Sequence, residues 1–301
     1  MKYKGDKMAF AIVTDSASDM PLEIKEKYDI HVIPTPVTIE GTDYFDSENI
    51  FPDEFYRIQS EGKEIKTYHI NQYMFVKHFT PYAERDDEVL YICFSTGIAG
   101  TFNAAILARD EIKETYPDFK MTIIDSKSAS CGIALIVERL FIMKENGAPR
   151  DILLKAARFY SANRVEHVVS VTTLEYLIKG GRVSKFSGAM GGALDIKPII
   201  IVNEKGALEP KEKIRGFRKA VSRLIEMVGE RGVELEKQRI FVCVGTDKEL
   251  GTTLAKRLEE TYHVKSVVIG QVGCAIGAHT GPGIVGIVFL NASENEFAEY
   301  L

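Results

Sequence analysis

Residues 89–112 read VLYICFSTGIAGTFNAAILARDEI. An unbroken apolar run is followed at once by two hydroxyls, Ser95 and Thr96, then Gly97, Gly100 and a helical pattern. Continuous apolar runs, as opposed to alternation, mark strands covered on both faces. Strand, short turn and helix is the unit of a parallel sheet with helical crossovers. Similar apolar runs recur at FAIVTD (10–15), MTIIDS (121–126), HVVSVTT (167–173), RIFVCVG (239–245), VKSVVIG (264–270) and IVGIVFL (284–290).

Helices are legible between them. Ser16 and Ser18 lie just before PLEIKEKY, with Pro21 near its first turn, as start signals. The segment 128–146 carries the dense apolar block GIALIVERLFIM and closes at Gly147, which reads as a core helix. Pro149 and Asp151 open ILLKAARFY, and ELGTTLAKRLEETY makes another helix. HVIPTPVTI holds Pro34 and Pro36, so it fits only an edge or irregular strand. KPIIIVNEKGALEPKEKI reads as two extended runs around Asn203–Gly206, a hairpin signal. A basic helix is expected over 213–232. The fold class is therefore α/β in two domains. The expected boundary lies near residue 163: a parallel-sheet domain over 1–163 and a mixed α/β domain over 164–301.

Bulk properties exclude some functions. Net charge is −5, with 38 basic and 43 acidic residues. A general nucleic-acid binder is usually basic, which argues against that class. No segment is long and apolar enough for a membrane span. The N-terminal run AFAIV is too short for a signal-peptide core, so a cytoplasmic location is expected. Cys93, Cys131, Cys243 and Cys274 form no CxxC pair and read as buried free thiols. GPGIVG (281–286) matches GxGxxG, but a strand-like run follows it where a dinucleotide site needs a helix. Walker A, HExxH and GxSxG patterns are absent, and six histidines show no metal spacing. Neither a cofactor nor a metal is expected.

Four stretches carry chemistry. The turn STGIAGT (95–101) offers hydroxyls and a helix start at the carboxyl end of a strand, where α/β proteins bind ligands and anions. A capped turn is the alternative, and a third reading makes Ser95 a nucleophile with His279 as its base. GCAIGAHTGPGIVG (273–286) surrounds His279 with glycines that let backbone approach closely; the histidine can donate to an anion or take a proton, and the alternative is a tight loop with a surface histidine. KGGRVSKFSGAMGG (179–192) ends a helix at Gly180–Gly181, adds Arg182 and Lys185, and continues into small residues suited to lining a cavity. The stretch 211–223 has six basic residues against one acid, Glu212. It reads either as a solvated face or as a docking patch for an acidic partner.

Taken together these blocks resemble the DegV family of bacterial fatty-acid-binding proteins, over nearly the whole chain. VTDSASDMP (13–21) is similar to the family's DSxSDLP-type turn and STGIAGT to its SSGLSGT-type turn. LEYLIKGGRVSK, IKPII and KIRGFRKA fit its central blocks, and GAHTGPGIVGIVF its GTHxGPGALG-type block. TYHIN (67–71) stands where the family has a TSQPS-like stretch. The resemblance implies two α/β domains with one long-chain fatty acid between them. It implies no catalysis by the chain itself; a separate kinase phosphorylates the bound acid for phospholipid synthesis. Carried over by position, Thr67, Ser95, Thr96 and His279 would bind the headgroup, and Arg182 and Arg215 would face the kinase. A serine-dependent lipid hydrolase or acyltransferase using Ser95 and His279 is the alternative.

Overall fold

A computed structural model describes residues 9–182 and 195–301. In chain order the strands are β1 (Phe10–Asp15), β2 (His31–Ile33), β3 (Pro36–Ile39), β4 (Thr42–Phe45), β5 (Ile65–Thr67), β6 (Glu88–Cys93), β7 (Met121–Asp125), β8 (Val165–Ser170), β9 (Ile196–Val202), β10 (Leu208–Arg215), β11 (Arg239–Val244), β12 (Ser266–Gln271) and β13 (Val285–Leu290). They form a four-stranded sheet ordered β2-β1-β6-β7, a three-stranded sheet β4-β3-β5 and a six-stranded sheet β10-β9-β8-β13-β11-β12.

The four-stranded sheet is parallel throughout. Its central strand β6 is buried along its whole length, as its continuous apolar run requires. The six-stranded sheet is mixed: β11 and β12 run parallel, and the other pairings are antiparallel. All strands of the parallel sheet lie before residue 163 and all those of the mixed sheet after it. The α/β class with its parallel first half and mixed second half is as the sequence implies.

The hairpin read around Asn203–Gly206 is β9–β10, with Gly206 at φ 73°. The proline-bearing HVIPTPVTI splits between edge strand β2 and β3, which, against expectation, is the middle strand of the small sheet; Pro36 is its first residue, where a missing N–H is tolerated. Two further expectations are corrected. The basic helix begins only at Phe217 and ends at Arg231; residues 208–215 before it are strand β10, whose backbone is taken by pairing with β9. The glycine-rich stretch at 273–286 is not a plain turn, because Cys274–Thr280 is helical.

One hydrophobic cluster joins the two halves. It is centred on the helix Cys131–Glu145, twelve of whose fifteen residues are buried. Ile12, Leu90 and Ile92 of the parallel sheet pack in the same cluster as Ile200, Phe241, Val268 and Val288 of the mixed sheet. The four cysteines are free and buried. Among the described residues no helix is long and apolar enough to cross a membrane.

A backbone contact also ties the halves together. Gly97, in the turn after β6, lies against the tip of the β9–β10 hairpin. A Cβ at Gly97 would stand 2.6 Å from the Lys205 and Gly206 carbonyl oxygens. Those are backbone atoms of a tight turn closed by the Asn203–Ala207 and Gly206–Asn203 backbone bonds, so they cannot step aside cheaply. Gly97→Ala should therefore destabilise the protein by about 1–3 kcal/mol in urea unfolding. Gly100→Ala, where a Cβ meets open space, should stay within about 0.5 kcal/mol. Equal stabilities for the two variants would show that the hairpin tip yields.

Candidate functional site

Between the two sheets lies an apolar cavity of ≈ 250 Å³. Its mixed-sheet wall follows from strand register. Val169 pairs with Ile200 and Gly286, and Gly286 pairs with Cys243. These four form one row across the sheet, and all of them line the cavity. Two residues further along β8 in either direction, His167 and Val171 also line it. Side chains two apart share a face, and four residues of strand span about 13 Å, so the cavity is elongated. The opposite wall comes from the other half: Phe94, Ile98, Ala99 and Ala129.

At the Val171–Ile284 end stand Thr67 and His279. Thr67 ends strand β5; His279 sits in the last turn of the helix Cys274–Thr280, just before the turn into β13. Both line the cavity, and Thr67 Oγ1 lies 2.7 Å from His279 Nε2. Burial, reinforced by the charge of nearby Arg182, pushes the imidazole down to about 4. At neutral pH it is uncharged and carries one ring proton. Nδ1 is buried without a hydrogen-bond partner and packs so tightly on Gly180 that no Cβ would fit there. An orphaned N–H in that position costs more than an orphaned lone pair. The proton therefore belongs on Nε2, which donates to Thr67 Oγ1. Because Thr67's oxygen then accepts, its own proton is free for an anion.

The other expected residues are placed differently. Ser95 is fully buried, and its hydroxyl donates to the Gly206 carbonyl at 2.8 Å. Thr96 is exposed, and its hydroxyl donates to Asp125 at 2.6 Å. Arg182 is exposed at the cavity rim, and its guanidinium donates to the Gly180 carbonyl at 2.6 Å. Arg215 ends β10, exposed on the edge of the mixed sheet. The structure thus brings Thr67 and His279 together, with Arg182 on the same rim. It forms no Ser95–His279 pair: each of those side chains is bonded elsewhere, so the hydrolase alternative has no nucleophile–base contact. Of KGGRVSKFSGAMGG, residues 183–192 lie outside the described residues. Among the described residues no cluster of three or more His, Cys, Asp or Glu side chains could hold a metal ion.

Two ionisable residues on the cavity wall were not singled out from sequence. His167 accepts from or donates to the Ser128 hydroxyl at 2.9 Å, and burial lowers it to about 4, so it is neutral. Asp15 is raised to about 6, chiefly by burial, against the Tyr91 hydroxyl and the Phe94 and Ala17 amides that donate to it. The signal for Asp15 was present, as an acid ending an apolar strand. For His167 there was none, since its partner Ser128 lies 39 residues away.

This is an α/β protein with an elongated apolar cavity between two sheets and a neutral hydroxyl–imidazole pair on its wall, an arrangement whose chemistry suits an amphipathic molecule. The comparisons agree. The profile of the family described as "Uncharacterised protein, DegV family" matches residues 9–292. A "Fatty acid-binding protein" of Thermotoga maritima is 36% identical over 287 residues, covering 93% of this chain and 96% of its own. A solved Thermus thermophilus structure, described as fatty acid binding of a DegV family protein, superposes with a TM-score of 0.84 at 27% identity, covering 93% of this chain and 99% of its own. A stearic acid-binding protein from Eubacterium ventriosum gives 0.84 at 28%, covering 94% and 98%. The chain belongs to the DegV family.

The proton assignment is testable. In nitrogen-15 spectra His279 should stay in the neutral Nε2–H form from pH 8 to pH 5 and titrate near the value of about 4 set by its burial. A midpoint near the ordinary ~6.5 would remove the relay to Thr67.

Proposed function

We propose that this protein binds one long-chain fatty acid in the cavity between its two sheets, with the carboxylate at the Thr67–His279 end. On this reading the chain divides near residue 163 into two domains that enclose the ligand. The observation that carries it is the pairing of an elongated apolar cavity with an uncharged donor pair at one end. The relatives named for binding fatty acids support the same ligand class.

Energetics favour such a ligand. Each buried methylene contributes ~0.8 kcal/mol, so a dozen give a gross gain of roughly 10 kcal/mol. A carboxylate buried without partners would cancel much of that. The Thr67 hydroxyl, backed by the His279 N–H, offers a charge-assisted bond of about 1.5–3 kcal/mol. Ser95, outside the cavity lining with its hydroxyl on the Gly206 carbonyl, can join the headgroup set only by giving up that bond. Thr96 braces the same turn from outside through Asp125.

The chain acts as a carrier without catalysis of its own, in the cytoplasm, and a separate kinase converts the exposed carboxylate to an acyl phosphate for phospholipid synthesis. A polar groove of ≈ 1000 Å³ supports a docking surface of that kind. It shares Arg182, Val202 and Leu208 with the apolar cavity and is lined by Lys127, Arg164, Lys205 and Lys211. The exposed Arg215 stands at the end of the same edge strand β10 that carries Lys211.

Organic extracts of the purified protein should contain a saturated or monounsaturated acid, seen by mass spectrometry. Calorimetric titration with palmitate should show one site. Thr67→Ala should weaken binding about tenfold or more with little loss of stability. The absence of any aliphatic acid together with no palmitate heat would overturn the reading. For the kinase, Arg215→Glu should abolish acyl-phosphate formation in a reconstitution with ATP and the organism's own fatty-acid kinase, yet leave palmitate affinity intact. Unchanged turnover would take Arg215 out of the docking surface.

A further inference from the structure

The helix Cys274–Thr280 follows a strand of the mixed sheet and precedes another, yet its polar contacts run to the opposite half of the molecule. Asp46 Oδ1 accepts from the Cys274 amide at 3.2 Å and its Oδ2 from the Ala275 amide at 3.1 Å. Asp19 Oδ1 accepts from the Gly273 amide at 2.8 Å, and its other oxygen takes the Ser130 hydroxyl. Gln59 donates to the Gly277 carbonyl at 3.1 Å. The helix has no side-chain cap of its own, because Gly273 occupies that position. Helix starts normally take Ser, Thr, Asp or Asn from the adjacent chain. Here the cap arrives from residues more than 200 positions away. Both aspartates are buried, Asp46 completely.

We propose that Asp46, with Asp19 beside it, is a positioning residue for the headgroup: by gripping the first amides of this helix it sets the His279 imidazole against Thr67. Ala275 and His279 are four residues apart, about 6 Å along a helix axis. So short a helix moves as one piece, and a displacement at its start arrives undiminished at His279. The grip needs both carboxylate oxygens, one for each amide. An asparagine has the same shape but only one acceptor, and its NH₂ would face a backbone N–H. Asp46→Asn should therefore push the helix start away from its seat without altering any residue of the cavity. The shape of the Gly273 site agrees, since a Cβ there would stand 2.7 Å from Asp19 Oδ1. The chain runs hard against that carboxylate, leaving no room for an intervening group.

The affinity part of the test rests on the fatty-acid reading; the spectroscopic part does not. Full-length Asp46→Asn and Asp19→Asn are compared with wild type and with Asp247→Ala. Asp247 caps the helix Lys248–Tyr262 from the adjacent position by accepting the Leu250 amide at 2.8 Å, and neither residue is among those lining the cavity. Palmitate affinity is read by calorimetry, and His279 by its imidazole nitrogen-15 signals. Asp46→Asn should lower palmitate affinity at least tenfold and move the His279 titration up toward the ordinary histidine range. Asp19→Asn should do the same more weakly, and Asp46→Glu, which keeps two acceptors, should recover part of the loss. Asp247→Ala should reduce stability and leave both readouts unchanged. Palmitate affinity within twofold of wild type in folded Asp46→Asn, or unmoved His279 signals, would overturn the proposal. So would failure of both Asp46→Asn and Asp19→Asn to fold while Asp247→Ala folds, since that assigns the aspartates to the fold as a whole. If wild type itself takes up no palmitate, the fatty-acid reading falls and the His279 signals alone decide the positioning role.

Discussion

The cavity depends on how one short helix is seated. Cys274–Thr280 has seven residues, too few to hold a helical form by propensity. It exists because the parallel-sheet half supplies what it lacks. Buried carboxylates take its first amides, Gln59 takes a carbonyl in its middle, and Tyr56 packs against Gly277. His279 near its end then meets Thr67 from the same half. Take the other half away and the helix loses the partners of its first amides, and His279 loses Thr67. The donor end of the cavity is thus a property of the joint between the sheets. The shared core along the helix Cys131–Glu145 is what holds that joint closed.

Charge explains why the site uses hydroxyls and neutral imidazoles. A fixed cation inside a cavity must be desolvated whether or not an anion is present, and that cost can exceed the attraction it later provides. His279 and His167 on the cavity wall are held near 4 by burial and so carry no charge at neutral pH. Arg182, the arginine on the cavity rim, stays exposed, where water keeps its charge inexpensive. Its charge still reaches inward, since it helps to keep His279 deprotonated. An anion arriving at the mouth would meet a diffuse positive potential first and a neutral donor second. That order suits a ligand that must enter and leave.

Much of this was legible in the sequence, and what was hidden was hidden for one reason. The run VLYIC and its turn announced a doubly covered strand, and β6 is buried at every residue. KPIIIVNEKGALEPKEKI announced a hairpin because strand pairing and turn chemistry are both local signals. The helix in GCAIGAHT did not announce itself, since its glycines argue against a helix and its stabilising partners lie in distant sequence. The basic stretch over 211–223 misled for a related reason. Its charges alternate on an exposed edge strand up to Arg215 and only then follow a helix, a change that composition does not record. At the site, Thr67 and His279 could be picked out by family likeness, but the proton order between them follows only from Gly180 crowding Nδ1.

Ser95 shows how a single hydrogen atom constrains the rest. A serine hydroxyl has one proton to donate, and here it goes to the carbonyl of Gly206 at the hairpin tip. The same oxygen accepts from the Gly97 amide at 3.2 Å, and a Cβ on Gly206 would run into it. The hydroxyl therefore sits in a slot made by two glycines from different halves of the chain. If it turns to meet a carboxylate, the Gly206 carbonyl loses its donor and the hairpin loses one of its ties to the turn after β6. The exchange is nearly even, one hydrogen bond for another, with the charged acceptor favoured. On the fatty-acid reading, headgroup capture by Ser95 and the grip on the β9–β10 hairpin would compete for one proton. That hairpin borders both the apolar cavity and the basic groove beside it.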